Sequence, residues 1–351
     1  MADINIANVK IGPNYKPFII AEMSGNHNQS LDRALSIVDA ASEAGAHALK
    51  LQTYTADTIT VKGSYTINDP NSLWAGKELY DLYKQAYTPW EWHEEIFAHA
   101  RKRGMIGFSS PFDESAVDFL ESLNVPLYKI ASFENTDHIL LKKVAKTGKP
   151  VIMSTGVASI ADLQESVDVL RTAGCKELIL LKCTSTYPAS PETTNILTIP
   201  HMRQLFDCPI GLSDHTMGIG AAVAAVAMGA VVLEKHFTLR RADGGVDSTF
   251  SLEPEELASL VVESERAWLA MGSVSYQMSE KEKKSLVFKR SLFVVKDIRK
   301  GEQFLPEHIR SVRPALGLHT RFYDDVIGKL AAQDIQAGTP LAASHIGEGL
   351  K

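Results

Sequence analysis

The chain has 351 residues, 45% of them hydrophobic and 22% charged, with a formal net charge of −6. These figures describe a globular chain and argue against a general nucleic-acid surface; no apolar run nears the ~18 residues of a membrane span. Cys175, Cys183 and Cys208 form no CxxC pair, which excludes a disulfide framework or a structural zinc site.

Residues 1–17 read as a lead-in with a short strand at Ile4–Ile11, and MADINIANVK carries no signal-peptide pattern. A reducing cytoplasm is the expected location. Eight apolar runs follow: Phe18–Glu22, Ala48–Gln52, Met105–Ser110, Leu127–Ser132, Val151–Ser154, Leu178–Lys182, Pro209–His215 and Val231–His236. They are short and rich in β-branched or bulky side chains, as strands buried on both faces require. Helical periodicity separates them, at Asp32–Ala46 and about 91–103, 113–122, 137–147, 159–173, 218–228 and 254–271. Alternating β and α units of this number predict a (β/α)8 TIM barrel, an α/β fold with its chemistry at the C-terminal strand ends.

An insertion over roughly 55–90 carries Tyr65, Trp74, Tyr80, Tyr83, Tyr87 and Trp90, with Trp92 just beyond. Such a loop borders the active face, although most of its rings are expected only to pack it down. A bare barrel needs roughly 250 residues, so a second small domain is expected. The division reads as a barrel over 1–275, a linker over 276–289 and a β-rich domain over 290–351. Within the last, Lys296-Asp-Ile-Arg-Lys-Gly301 and Gln333-Asp-Ile-Gln-Ala-Gly338 form a near-repeat that predicts two similar turns.

The strand ends gather Glu22, Lys50, Ser110, Lys129, Ser132, Ser154, Ser213, His215, Glu234 and His236. His215 and His236 close neighbouring runs, and barrel strands lie about 4.8 Å apart. Two imidazoles so placed can share one Mn²⁺, Zn²⁺, Co²⁺ or Mg²⁺ ion. Barrel closure sets Glu22 beside them as a base or a water-mediated ligand. Lys50 and Lys129 are too costly to bury without an anionic partner. With the serines and helix N-termini they describe a site for a small phosphorylated carboxylate. A lone strand-end serine usually caps a helix, so the set says more than its members. Glu134, Asn135 and Tyr187 follow the fourth and sixth strands and could address a sugar-like second substrate.

Ile20-Ala-Glu22-Met-Ser-Gly-Asn26-His27-Asn28 resembles the IAE-x-x-x-NH-x signature of the sialic acid synthases. The same resemblance runs through Lys50-Leu-Gln52-Thr, Lys129-Ile-x-Ser132, Ser154-Thr-Gly156, Cys183-Thr-Ser-Thr-Tyr-Pro188, Gly211-Leu-Ser-Asp-His215 and Glu234-Lys-His236-Phe. The C-terminal part, with Arg313-Pro314, resembles the antifreeze-like (SAF) domain that follows the barrel in that family. The resemblance implies condensation of phosphoenolpyruvate with an N-acylated amino sugar to a nine-carbon 2-keto acid, releasing phosphate by C–O cleavage.

It further implies a divalent metal, foremost Mn²⁺ with Mg²⁺ or Co²⁺ as substitutes, on His215 and His236, with Glu22 catalytic beside them. Lys50, Ser110, Lys129, Ser132, Ser154, Ser185, Tyr187 and Ser213 would surround phosphoenolpyruvate. Gln52 and Glu134 would face the sugar, joined by Arg313 from the other subunit of a domain-swapped homodimer. Ser185 replaces an asparagine usual in the N-acetylneuraminate enzymes, and Phe133 stands where they have glycine. With Leu73-Trp-Ala-Gly-Lys-Glu-Leu-Tyr-Asp-Leu-Tyr83 and Thr88-Pro-Trp-Glu-Trp-His93, these features resemble the pseudaminic acid synthase branch. Its sugar is 2,4-diacetamido-2,4,6-trideoxy-L-altrose. Legionaminic or N-acetylneuraminic acid synthesis, a metal-dependent pyruvate aldolase and a catalytically silent sugar- or metal-binding barrel are the alternatives.

Overall fold

The expected first strand is a hairpin: β1 (Ile4–Ile6) and β2 (Val9–Ile11) pair antiparallel. Ala7 and Asn8 between them both have positive φ, the conformation a tight two-residue turn demands. Ile4, Ile6 and Ile11 are buried in one cluster with Phe18, Ile20, Phe108, Ile152 and Leu181, so the hairpin plugs the floor of the barrel. The computed structural model describes residues 3–70, 72–347 and 349. The chain forms two compact units, Met1–Gly272 and Ser273–Lys351.

In the first unit, eight parallel strands close a barrel. They are β3 (Phe18–Glu22), β4 (Ala48–Thr53), β5 (Ile106–Pro111), β6 (Tyr128–Ile130), β7 (Val151–Ser154), β8 (Leu178–Cys183), β9 (Ile210–Ser213) and β10 (Val232–His236). β10 pairs with β3, and that pairing seals the ring. Side chains alternate between two destinations along every strand. Ile19, Leu49, Tyr128, Met153, Leu180 and Leu212 join the core under the helices, while Ile20, Ala48, Phe108, Ile152 and Leu181 fill the barrel interior. Gly211 marks a close approach, since a Cβ there would lie 2.4 Å from the Val232 carbonyl oxygen.

Helices Leu31–Glu43, His93–Lys102, Glu114–Ser122, His138–Ala145, Ile160–Thr172, Gly220–Ala227 and Pro254–Met271 match the periodic segments. Thr198–Phe206 is a further helix, between β8 and β9, that the pattern did not announce. Pro200 lies in its first turn, where the missing N–H has no helical acceptor to lose. The aromatic insertion holds two short helices, Ala56–Ile59 and Leu79–Ala86.

In the second unit, β11 (Ser291–Val294) and β12 (Ile309–Val312) pair antiparallel over a core that includes Leu292, Ile298, Phe304, Ile335 and Leu341. The stretch expected as a linker carries a short helix, Glu280–Lys284. The near-repeats face each other. Ile298 and Ile335 exchange backbone hydrogen bonds, the Asp334 carboxylate accepts from the Lys300 N–H, and the Asp297 carboxylate accepts from the Ala337 N–H.

Candidate active site

Strand alternation decides what enters the barrel mouth. Glu22 on β3, Lys50 on β4, Lys129 on β6 and Glu234 on β10 share the inward parity of the apolar layer beneath them. They join into one buried network. Lys50 Nζ lies 3.0 Å from Glu22 Oε2 and 3.5 Å from Glu234 Oε1, and Lys129 Nζ donates to Glu234 Oε1 at 2.9 Å. Ser213 Oγ donates to the same Glu234 oxygen at 3.2 Å, and Lys50 Nζ donates to Ser110 Oγ at 3.3 Å. Each lysine therefore has a protein carboxylate as partner, so its burial alone does not require a bound anion.

Removing one member of such a network leaves an uncompensated buried charge, at about 3–5 kcal/mol. Burial pushes the Glu22 carboxyl above its ordinary range; Lys50 opposes this and Glu234 adds to it. Burial pushes the Lys129 ammonium down, against the pull of Glu234. Glu234 stays well ionised because Lys129 and Lys50 outweigh its own burial.

The two histidines stand above this floor. His236 ends β10, directly in register with Glu22. His215 lies two residues beyond the end of β9, on the loop and not in the strand as the pattern predicted. Their ring centroids are 5.3 Å apart. His215 Nδ1 lies 3.0 Å from the Thr184 carbonyl oxygen, which can only accept, so Nδ1 carries a hydrogen and Nε2 is the nitrogen turned to the site. A backbone carbonyl behind an imidazole is the usual support of a metal-binding histidine.

His236 Nδ1 is buried with no hydrogen-bond partner among the described residues. Burial, then the neighbouring His215, Lys50 and Lys129, hold this imidazole well below its ordinary pKa, hence neutral. His236 is thus a neutral nitrogen donor; at His215 burial is outweighed by the Cys183 thiol and the Thr184 carbonyl, which raise its proton affinity, so a divalent ion bound there takes the place of a proton. Among the described residues no group of three or more His, Cys, Asp or Glu side chains is disposed to hold one, so most coordination positions would fall to water or substrate.

Several members of the site have weak sequence signals or none. Glu234 could have been read as the hub, since it shares the face of His236 two residues earlier. Asp247 arrives from the loop after β10; its Oδ2 is 3.7 Å from His236 Nδ1 and accepts from Ser24 Oγ. Phe250 and Tyr187 wall the imidazoles, with ring centroids 4.9 Å from His236 and 4.6 Å from His215. Trp74 is the insertion ring that meets Tyr187, at 5.9 Å, and its Nε1 donates to the Val246 carbonyl. Trp90 stacks on Phe119 at 4.7 Å instead, and Trp92 meets His27 edge-on.

The outward neighbours of the histidines form a clamp. Lys235 Nζ donates to Asp214 Oδ2 at 2.8 Å and to the carbonyls of Thr216 and Gly218 at 2.7 and 2.8 Å. The ammonium is thereby saturated, and Asp214 and Lys235 each adjoin one of the two imidazoles in sequence.

Other predicted residues fall around the rim. Ser132 Oγ accepts from the Gly156 N–H, and a Cβ at Gly156 would strike the hydroxyls of Ser185 and Ser132 at 2.1 and 2.7 Å, so a side chain there would displace both. Ser154 Oγ is buried without a hydrogen-bond partner among the described residues. Gln52 Nε2 donates to Glu22 Oε1 at 2.8 Å and to Ser24 Oγ at 3.1 Å. Burial, reinforced by Asp137, raises the Glu134 carboxyl to about 7. Asn135 spends its amide on the carbonyls of Ser154 and Gly156, which makes it a loop latch. Phe133 is 64% exposed. Arg313 belongs to the second unit, where its side chain is exposed.

No helix among the described residues is long and apolar enough to cross a membrane. The chain is 44% identical over 329 residues to a pseudaminic acid synthase of Campylobacter jejuni, covering 93% of this chain and 95% of the relative. It is 42% identical to a pseudaminic acid synthase of Helicobacter pylori, over 95% and 99% of the two chains. A crystal structure of an N-acetylneuraminic acid synthetase from Leptospira borgpetersenii superposes with a TM-score of 0.73 at 33% identity, covering 81% of this chain and 95% of that one. Residues 289–347 match the SAF domain. Residues 37–276 match the NeuB family, and with these full-length relatives the chain belongs to that family.

Proposed function

We propose that the protein condenses phosphoenolpyruvate with 2,4-diacetamido-2,4,6-trideoxy-L-altrose, making pseudaminic acid and inorganic phosphate. The carrying observation is the register that sets the neutral His236 opposite Glu22, above two buried lysines and within reach of His215. A divalent ion on His215 and His236, Mn²⁺ by preference with Mg²⁺ or Co²⁺ as substitutes, supplies Lewis-acid polarisation of a carbonyl oxygen.

The chain's own groups do the rest. Lys50 and Lys129 supply positive charge to phosphoenolpyruvate, with hydroxyls from Ser110, Ser132, Ser154, Ser185, Tyr187 and Ser213 around it. Gln52, Glu134 and the partner copy's Arg313 hold the open-chain sugar so that its aldehyde carbon faces the methylene of phosphoenolpyruvate. The enol π electrons form the new C–C bond, and the aldehyde oxygen takes up a proton. Glu22, its affinity for protons raised by burial, accepts a proton from the water that adds to the former enol carbon. The C–O bond to phosphate then breaks, phosphate departs, and the remaining hydroxyl loses its proton to give the ketone.

Supply of phosphoenolpyruvate and three free, buried thiols suit a cytoplasmic site of action. The reading is tested by phosphate release with phosphoenolpyruvate, Mn²⁺ and each of three sugars, with mass detection of the product. Turnover confined to the diacetamido-altrose supports it. Preference for the diacetamido-mannose analogue or N-acetylmannosamine transfers the assignment to a legionaminic or neuraminic acid synthase. Turnover with pyruvate in place of phosphoenolpyruvate replaces it with an aldolase.

A further inference from the structure

Outside the mouth, the wall of β8 has an anomaly. Leu178 and Leu180 point outward and are buried beneath the helices. Lys182 takes the same outward direction by strand alternation, yet it is a cation. It sits where helices Ile160–Thr172 and Thr198–Phe206 part to leave a cleft of about 530 Å³, a volume suited to a small organic ligand. Ile160 and Leu163 line one side, Met202, Leu205 and Phe206 the other.

Lys182 Nζ donates to the Cys183 carbonyl at 3.0 Å and to Thr184 Oγ1 at 3.4 Å. An ammonium has three hydrogens, so one donor direction remains. Unlike Lys50, Lys129 and Lys235, Lys182 has no carboxylate within 4.0 Å among the described residues. An apolar residue would serve packing better here, and a half-buried ammonium without a counter-charge is costly. Burial accordingly pushes its pKa down.

The cleft also communicates with the mouth. Thr184, whose hydroxyl Lys182 holds, offers its carbonyl to His215 Nδ1; Ser185 lines the cleft and also belongs to the hydroxyls assigned to phosphoenolpyruvate, and Tyr187 follows on the same segment.

We propose that this cleft is a second binding site, for a small organic anion with an apolar body, and that its occupancy alters turnover through the Thr184–Tyr187 segment. The headgroup, phosphate monoester or carboxylate, meets Lys182, and the apolar body lies between the two helices.

Calorimetry on the full-length protein with phenyl phosphate, phenylacetate and inorganic phosphate as probes tests this. One equivalent of phenyl phosphate or phenylacetate is expected per chain, the stronger of the two naming the headgroup, with inorganic phosphate weaker than phenyl phosphate. Binding should weaken about tenfold or more in Lys182→Met, which removes the charge, and in Leu205→Trp, which fills the cleft from an exposed position. It should persist in Lys50→Met. The bound probe should change kcat or KM in the wild type and not in Lys182→Met. Absence of saturable binding to the wild type overturns the proposal. So does binding that survives both cleft variants, or binding lost in Lys50→Met but kept in Lys182→Met. Neither result depends on which sugar the mouth accepts.

Discussion

Glu22 is buried and Glu134 half-buried, and both carboxyls have raised proton affinity, yet they make different predictions. Glu22→Gln keeps the shape and loses the base, so kcat should fall by about 10²–10⁴ with the KM for phosphoenolpyruvate little changed. Turnover near the wild-type rate would remove Glu22 from that role. Glu134 binds its proton more tightly folded than unfolded, so it weakens the fold progressively as pH rises from about 4.5 through about 7. The penalty at pH 8 is on the order of 2 kcal/mol after allowance for its partial exposure. Glu134→Gln should therefore raise Tm at pH 8, leave it near wild type at pH 4.5, and flatten the profile between. Inward residues such as Glu22, Lys50 and His236 were legible because strand alternation fixes their direction. Asp247 was not, since it reaches His236 from a loop whose path no local pattern encodes.

The outward neighbours of the two imidazoles, Asp214 and Lys235, are bonded to each other. Lys235→Met should lower divalent-ion affinity by about 10–100-fold in a direct titration, because the two loops lose their common tie. Pairing it with Asp214→Leu removes the stranded buried charge. The double variant should recover thermal stability and still bind the ion weakly; full recovery of ion affinity would reduce the clamp to a fold element. The barrel strands could be read from their apolar runs because burial on both faces leaves few polar choices. The helix Thr198–Phe206 could not, because a proline in a first turn looks like a breaker. The inserted aromatics divide by position: Trp74 faces Tyr187, whereas Trp90 and Trp92 pack elsewhere, and composition alone assigned neither.

At the scale of the whole molecule, two units and one mouth raise the question of which chain supplies Arg313. If the partner copy does, Arg313→Ala and Glu22→Gln fail in different subunits. Mixed and re-formed dimers should then regain activity, since one of two mouths has both residues intact, while each variant alone stays impaired. Light scattering should give about twice 38.4 kDa. A 38.4 kDa particle, or no recovery on mixing, would place Arg313 in its own chain's service or in none. The second unit carries a smaller exchange of the same kind. Asp297 completes the turn at Ala337, and Asp334 completes the turn at Lys300. Each near-repeat thus supplies a carboxylate that accepts from the other's turn. A lesion should be felt in the opposite copy: Asp297→Ala should speed amide exchange at Ala337 before it disturbs its own strand, and Asp334→Ala should do the same at Lys300. The two copies thus share the finishing bonds of their turns, and damage to one is read out in the other.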